Sequence, residues 1–224
     1  MLIGIVGFAG SGKGAVSDIL VQKHNFTKIS FADSVKDAIS TIFGWSRNLL
    51  EGDTKESRNF RETKDEWWSN KLGYDVTPRH MLQLMGTEAG RSVFHNDIWI
   101  HVAAKRCENV ENVVIPDTRF QNEIDFIRNA GGFIVRVTRD KDPGWFETAR
   151  KHNREGILEM HLKYPNVHVS EWSWIGNQFD YHIDNKGSMI VLESEINHLL
   201  RVFTGPINFD IMNNVAKRKQ EFIL

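Results

Sequence analysis

Apolar residues along this chain switch between short continuous runs and helical spacing, and the order of the switches predicts the architecture. Leu2-Ile3-Gly4-Ile5-Val6 is a run rich in β-branched residues, ended by Gly7, which predicts a buried strand. From Gly12 the period changes: Ala15, Val16, Ile19 and Leu20 share one helical face, and the pattern stops at His24-Asn25. Thr27, Ile29 and Phe31 alternate as a second strand would, and Asp33 or Ser34 can cap a helix carrying Val35, Ala38, Ile39, Ile42 and Phe43. Pro78 opens a helix with Met81, Leu82, Leu84 and Met85 inward, ending near Gly86, and another helix covers Ile98 to Arg106. Val113-Val114-Ile115 predicts a third strand, Phe120 to Ala130 a helix with Ile124 and Ile127 inward, and Gly131-Gly132 its exit into a strand over Phe133 to Thr138. A short strand near Tyr181 to Ile183 and a helix from Ser188 to about Val202 complete the alternation. Residues 47–78 and 139–179 show no sustained period, and the first of these reads as an insertion or mobile flap.

Strands separated by helices predict an α/β fold: a parallel sheet with helices on both faces, right-handed crossovers and a ligand site at the carboxyl ends of the strands. The expected layout is a single domain over residues 1–202 with a tail at 203–224, where Lys217-Arg218-Lys219 and Phe222-Ile223-Leu224 could dock on the body or on a second copy, leaving a homodimer open.

Composition narrows the class. Of 224 residues, 41% are apolar and 25% charged, the balance of an ordinary globular chain. Twenty-eight basic residues against 29 acidic ones leave a net charge of -1, so no overall field favours nucleic acid or anionic lipid, and neither is expected as a partner. Cys107 is the only cysteine, which excludes an intramolecular disulfide and fits a reducing cytoplasm. No run of 18 apolar residues occurs and the first residues lack a basic leader, so neither membrane insertion nor export is expected.

Gly7-Phe8-Ala9-Gly10-Ser11-Gly12-Lys13 matches the phosphate-binding loop Gly-x-x-x-x-Gly-Lys. In that loop backbone N–H groups surround a polyphosphate and the lysine reaches its outer phosphates, with the following helix presenting its positive end. With a strand before it and a helix after it, the motif predicts a P-loop NTPase-type three-layer sandwich. Gly10, Ser11, Gly12, Lys13, Gly14 and Ala15 are the candidate donor-binding residues. The pattern wants Ser or Thr after the lysine to hold Mg²⁺, and Gly14-Ala15 stand there instead, leaving Ser11 or Ser17 as helpers. Asp117, just after the strand at 113–115, is placed to bind Mg²⁺ directly or through water, or else to cap a turn. Arg119 is placed to bind phosphate oxygens bidentately.

Five blocks in order resemble the deoxynucleoside monophosphate kinases of tailed bacteriophages, relatives of the adenylate-kinase type of P-loop enzyme. They are Gly7 to Lys13; Phe31-Ala32-Asp33-Ser34-Val35-Lys36-Asp37-Ala38; Arg79-His80-Met81-Leu82-Gln83-Leu84-Met85-Gly86-Thr87-Glu88 with Arg91 and Trp99; Pro116-Asp117-Thr118-Arg119 with Glu123; and Ile183-Asp184-Asn185-Lys186-Gly187-Ser188. The resemblance implies transfer of the γ-phosphoryl group of ATP, with Mg²⁺, to a deoxynucleoside 5′-monophosphate. It implies a monophosphate-binding region at about 33–100 and a lid-like region at about 139–179. Lys36, Arg79, Gln83, Arg91 and Arg119 are the implied substrate contacts. Lys13, Asp117, Arg91 and Arg119 are the implied catalytic set, and Asn185 and Gly187 lie near the ATP base. Family members usually carry Asp-Thr after the P-loop lysine, which this chain lacks. The implied location is the cytoplasm, the host's if the chain is phage-encoded.

Other P-loop small-molecule kinases, of dephospho-coenzyme A, shikimate or gluconate type, are the alternative reading, followed by a non-catalytic nucleotide-binding protein. A guanine-reading switch is disfavoured because Asn185-Lys186-Gly187-Ser188 fails the Asn-Lys-x-Asp pattern at its fourth position. His80, His95 and His101 show no recognised metal spacing, and the tryptophans at 67, 68, 145, 172 and 174 are expected mostly to pack rather than stack on a base.

Overall fold

The computed structural model describes residues 1–205, so the tail from 206 onward lies outside the described residues. Its strands are β1 (Leu2–Val6), β2 (Thr27–Lys28), β3 (Val113–Ile115), β4 (Phe133–Thr138) and β5 (Tyr181–Asp184). They form one sheet in the order β2-β3-β1-β4-β5, every neighbouring pair parallel. In register, Gly4 sits between Ile115 and Ile134, which makes β1 the central strand and sends its carboxyl end into the glycine loop.

Burial on both faces explains why β1 and β3 read as unbroken apolar runs. On one face Ile3 and Ile5 of β1 pack with Val16, Ile19 and Leu20 of α1 (Lys13–His24) and with Leu192, Ile196 and Leu199 of the last helix. Gly4 points to the other face, where a Cβ would run into Ile127 of the helix Gln121–Asn129. The expected three-layer α/β sandwich is therefore the observed one. The last helix runs Met189–Thr204, and no helix among the described residues is long and apolar enough to cross a membrane.

Two compact units divide the chain: Met1–Ile29 with the chain from Asn109 onward, and Ser30–Glu108. The sheet belongs to the first. The second is helical, made of α2 (Asp33–Phe43), α3 (Lys55–Glu62), α4 (Glu66–Leu72), α5 (Pro78–Gln83), a π-helix over Leu84–Phe94 and α6 (Ile98–Cys107). The first unit continues with α7 (Gln121–Asn129), α8 (Phe146–Glu155), α9 (Met160–Lys163) and α10 (Met189–Thr204).

Several expectations change. Asp33 does not cap α2: it is the first helical residue, Ala32 precedes it without a side-chain cap, and the Asp33 carboxylate accepts from the Ser30 N–H at 3.2 Å. Residues 47–78 are no irregular flap. Short helices started by Thr54, Asp65 and Thr77 surround an apolar centre of Ile39, Trp45, Leu50, Val76 and Met81, with Phe43 stacked on Trp45 at 4.5 Å. Trp45 Nε1 and the Trp68 amide both donate to Asp65, and these bonds hold its carboxyl below the usual carboxylate range. The helix from Pro78 does not end near Gly86 either. It widens into the π-helix from Leu84, and Trp99 Nε1 donates to the Gly86 carbonyl within it at 2.8 Å. The strand expected over 27–31 shortens to β2, although Ile29 extends the ladder by donating to the Val114 carbonyl at 3.0 Å.

The turn from α7 into β4 supplies a stability test. Gly131 takes the left-handed exit, and a Cβ on Gly132 would lie 2.6 Å from the Leu2 carbonyl oxygen and 2.9 Å from that of Ile127. Both neighbours are backbone, so Gly132→Ala is expected to cost about 2 kcal/mol, read as a lower urea midpoint at unchanged slope. Gly14→Ala, where a Cβ meets nothing within 4 Å, should leave the midpoint within error. Equal midpoints for the two variants would show that β1 and the α7 exit separate freely.

Candidate active site

The site starts where β1 stops. Gly7 and Gly12 carry φ of 147° and 99°, backbone that side-chain-bearing residues rarely adopt, and the turn closes with the Ser11 amide donating to the Phe8 carbonyl at 3.2 Å. A Cβ on Gly7 would strike the Val137 carbonyl, and one on Gly12 the Asn185 amide. These glycines let the loop lie flat against the ends of β4 and β5. Gly12 also starts α1 without a side-chain cap, so the first-turn N–H groups of Lys13, Gly14 and Ala15 are left to a ligand. Ser11 is buried and its hydroxyl has no hydrogen-bond partner among the described residues. Space is open around Gly10 and Gly14. An orphan hydroxyl, uncapped amides and clear approach fit a polyphosphate.

Lys13 folds back under the loop, its ammonium donating to the carbonyls of Gly7 at 2.6 Å and Phe8 at 2.8 Å. Burial pushes its pKa down to about 8; the charge of Arg119 adds to the fall, while the carboxylates of Glu171 and Asp117 oppose it. One ammonium, one guanidinium and two carboxylates therefore share a field at the carboxyl edge of the sheet. Arg119 Nη1 donates to Glu171 Oε1 at 2.8 Å. Beneath them Glu123, 2% exposed, accepts from the amides of Arg119 at 2.6 Å and Phe120 at 3.0 Å, fixing the turn that carries Asp117 and Arg119.

Asn185 closes the far side. It is 4% exposed, its side-chain amide donates to the Ser11 carbonyl at 3.0 Å and its own N–H to Thr138 at 2.7 Å, so it braces the loop directly. Arg139 Nε donates to the Asn185 carbonyl at 3.2 Å. A cavity of about 210 Å³ opens here, lined by Phe8, Ser11, Thr138, Arg139 and Lys141 among others. Gly187, two residues beyond Asn185, leads into α10, and a Cβ there would press on Val191.

Residues 139–179, expected to be irregular, form α8, α9 and a 3-10 turn at Val169–Glu171. Trp172, Trp174 and Ile175 are buried, and Phe8 of the glycine loop meets Trp174 at 5.1 Å and Trp145 at 5.5 Å. Most tryptophans of the irregular segments do pack, although Trp67 is 60% exposed. Arg154 donates to the Gly176 carbonyl and Arg150 to Glu147, so these two basic residues are committed within the segment.

The remaining expected residues lie on the second unit. Lys36, on α2, donates to Glu51 at 2.7 Å. Arg79 and Gln83 sit one turn apart on α5, with Arg79 paired to Glu62. Arg91, 8% exposed in the π-helix, donates to the Asn96 carbonyl at 2.9 Å.

For a divalent ion, Asp117 supplies the carboxylate near Lys13. Gly14 and Ala15 bring no oxygen, and Ser17 is fully buried, which removes it as a ligand for an ion shared with solvent. The Ser11 hydroxyl is buried as well, so Asp117 is the remaining side-chain group that fits. Glu171 was missed by sequence reasoning: it lies 52 residues from Arg119, inside a segment without periodicity, and nothing local marks it.

Comparison with known proteins adds an independent line. The family profile described as deoxynucleotide monophosphate kinase matches residues 48–164, a stretch that leaves out the glycine loop and contains the Arg79 and Asp117 blocks. The chain is 36% identical to a putative deoxynucleotide monophosphate kinase of Acanthamoeba polyphaga mimivirus, over 62% of this chain and 74% of that one. It is 26% identical to deoxynucleoside-5′-monophosphate kinase of Escherichia phage T5, over 57% of this chain and 72% of that one. A solved shikimate kinase from Aquifex aeolicus overlaps loosely, with a TM-score of 0.42 and 18% identity across 92% of this chain and 99% of that one. With the profile covering more than half of its length and the mimivirus relative largely spanned, the chain belongs to the deoxynucleotide monophosphate kinase family and is a phosphotransferase.

Proposed function

We propose that this protein transfers the γ-phosphoryl group of ATP to the 5′-phosphate of a deoxynucleoside monophosphate, releasing ADP and the deoxynucleoside diphosphate. The observation that carries the reading is the meeting of Lys13, Asp117 and Arg119 beside the uncapped first turn of α1. Each is a charge or donor that a polyphosphate in transfer requires, and all hang from a rigid buried sheet.

An acceptor-phosphate oxygen forms the new bond to the γ-phosphorus as the bond to the β–γ bridging oxygen breaks, its electrons leaving with ADP. The acceptor is already ionised near neutral pH, so no general base is called for and catalysis reduces to placement and charge. Loop amides and the Ser11 hydroxyl hold the donor phosphates. Lys13 exchanges its two carbonyl partners for phosphate oxygens. Arg119 leaves Glu171 for the phosphoryl group, with Glu171 keeping the guanidinium aimed until an anion competes for it. Asp117 would hold Mg²⁺, directly or through water, and the ion would supply positive charge to the donor phosphates. On the second unit, Lys36, Arg79 and Arg91 are assigned to the acceptor phosphate and Gln83 to its base. Residues 139–179 are assigned to covering the donor and excluding water.

The test is ADP release from ATP and Mg²⁺ across dAMP, dGMP, dCMP, dTMP and their ribose counterparts, with shikimate and dephospho-coenzyme A as controls. Turnover with the deoxynucleotides is expected; turnover with a control alone would replace the reading. Lys13→Ala should fold normally and lose about 10²- to 10³-fold in kcat/KM for ATP, a loss typical of removing one group that stabilises developing charge.

The alkaline side of the pH profile follows from the same lysine. Protonated Lys13 is the form that binds phosphate, and its pKa in the free enzyme lies near 8, so kcat/KM for ATP should fall as pH rises through about 8. Glu171→Gln removes a carboxylate that favours the ammonium, and should move that fall to lower pH. A profile flat to pH 9.5 in the wild type would show that Lys13 does not control binding.

A further inference from the structure

The second unit carries a cluster that the kinase chemistry does not use. His95, Asp97 and His101 each offer one ligand atom, and the three atoms lie within 4.8 Å of one another. The arrangement follows from local structure. Asp97 precedes α6 and His101 sits one turn later, its amide donating to the Asp97 carbonyl at 2.9 Å, so the i, i+4 spacing puts carboxylate and imidazole on one side of the first turn. The chain then curls His95 over the same end. The Ile98 amide donates to the His95 carbonyl at 3.0 Å and the His95 amide to that of Gly90 at 3.3 Å, and the two imidazole rings come to 5.4 Å between centroids.

From this geometry we propose that His95, Asp97 and His101 form a surface site for a borderline divalent metal ion, Zn²⁺ or Co²⁺ in class, independent of the kinase reading. Two imidazoles and one carboxylate, with water completing the shell, are the donor set such ions take, whereas Mg²⁺ prefers an all-oxygen shell. Metal–ligand bonds of about 2.0–2.2 Å bring tetrahedral donor atoms to roughly 3.4 Å apart, so the ligands close by a little over 1 Å at most. Both histidines are exposed, and swinging them inward sacrifices no packing. His95 Nδ1 accepts the Asp97 N–H at 3.0 Å, which sets the ring over the start of α6, and binding a metal through Nδ1 gives up that hydrogen bond. Between the ligands lies Asn96, whose carbonyl receives Arg91 at 2.9 Å, so an ion here pins the turn that holds that arginine.

The experiment is calorimetric titration of the metal-stripped full chain, carrying no polyhistidine tag, with ZnCl₂ and separately CoCl₂ in excess Mg²⁺. One equivalent of each is expected to bind, with a rise in unfolding temperature. His95→Gln and His101→Gln, both at exposed positions and checked for native circular dichroism, should each weaken binding at least about tenfold, or 1.4 kcal/mol. His161→Gln is the control, because His152 and His161 form a second histidine pair with ring centroids at 5.4 Å. Absence of a one-equivalent event in the wild type would overturn the proposal. So would binding unchanged by both ligand substitutions, or binding lost only in His161→Gln.

Discussion

The constraint on which this structure depends is that its parallel sheet is covered on both faces. α1 and α10 pack on one side of β1 and α7 on the other, so the central strand is buried from Ile3 to Val6. Parallel pairing brings all carboxyl ends to one edge, and polar groups that would be costly inside the sandwich collect there. The glycine loop follows β1, the Asp117–Arg119 turn follows β3, Arg139 follows β4 and Asn185 follows β5. Four separate pieces of sequence thus share one edge because the core admits them nowhere else.

Crowding charge at that edge has an electrostatic cost that the site balances internally. Lys13 is desolvated and close to Arg119, and both effects disfavour its ammonium; Glu171 and Asp117 work against them. A site without these carboxylates would hold the lysine's pKa lower still, favouring the neutral amine that binds phosphate less well. One built with more carboxylate would repel the polyanion. Glu171 sits between these outcomes because it pairs with Arg119, an interaction that a phosphate can take over, while its charge still reaches Lys13.

The βα repeats were legible because each has a strong period and a plain stop: Asn25 in the left-handed conformation after α1, Gly131 after α7. The glycine loop was legible for the same local reason. Residues 47–78 were not, since helices of seven or eight residues are too short to show a period. Their starts were nevertheless written in the sequence, in Thr54 with Ser57, in Asp65 and in Thr77 before Pro78, each side chain capping its helix. Reading caps without waiting for periodicity would have found them. The π-helix is different in kind, because the Gly86 carbonyl finds its partner in Trp99, thirteen residues on, and no local rule contains that bond. Glu171 and the His95–His101 pairing were hidden likewise: the first depends on tertiary placement, and the second on a turn that reverses the chain just before α6.

The departure at Gly14 gains a physical meaning from the structure. A Cβ there would meet nothing within 4 Å, so packing does not forbid the serine or threonine that P-loops use to hold their metal. What the glycine leaves is an open first turn with bare N–H groups, next to a buried serine hydroxyl at position 11 and a carboxylate at 117. Anion binding by such a turn needs only backbone N–H groups, which cannot ligate a cation; a metal needs oxygens. The backbone of the loop is thus left able to receive an anion, while side-chain oxygens near Lys13 come from Ser11 and from the turn after β3. The position of the Asp117 turn depends on the two amide bonds that the buried Glu123 of α7 accepts from Arg119 and Phe120, so a carboxylate beneath the edge sets where the edge's own charges lie.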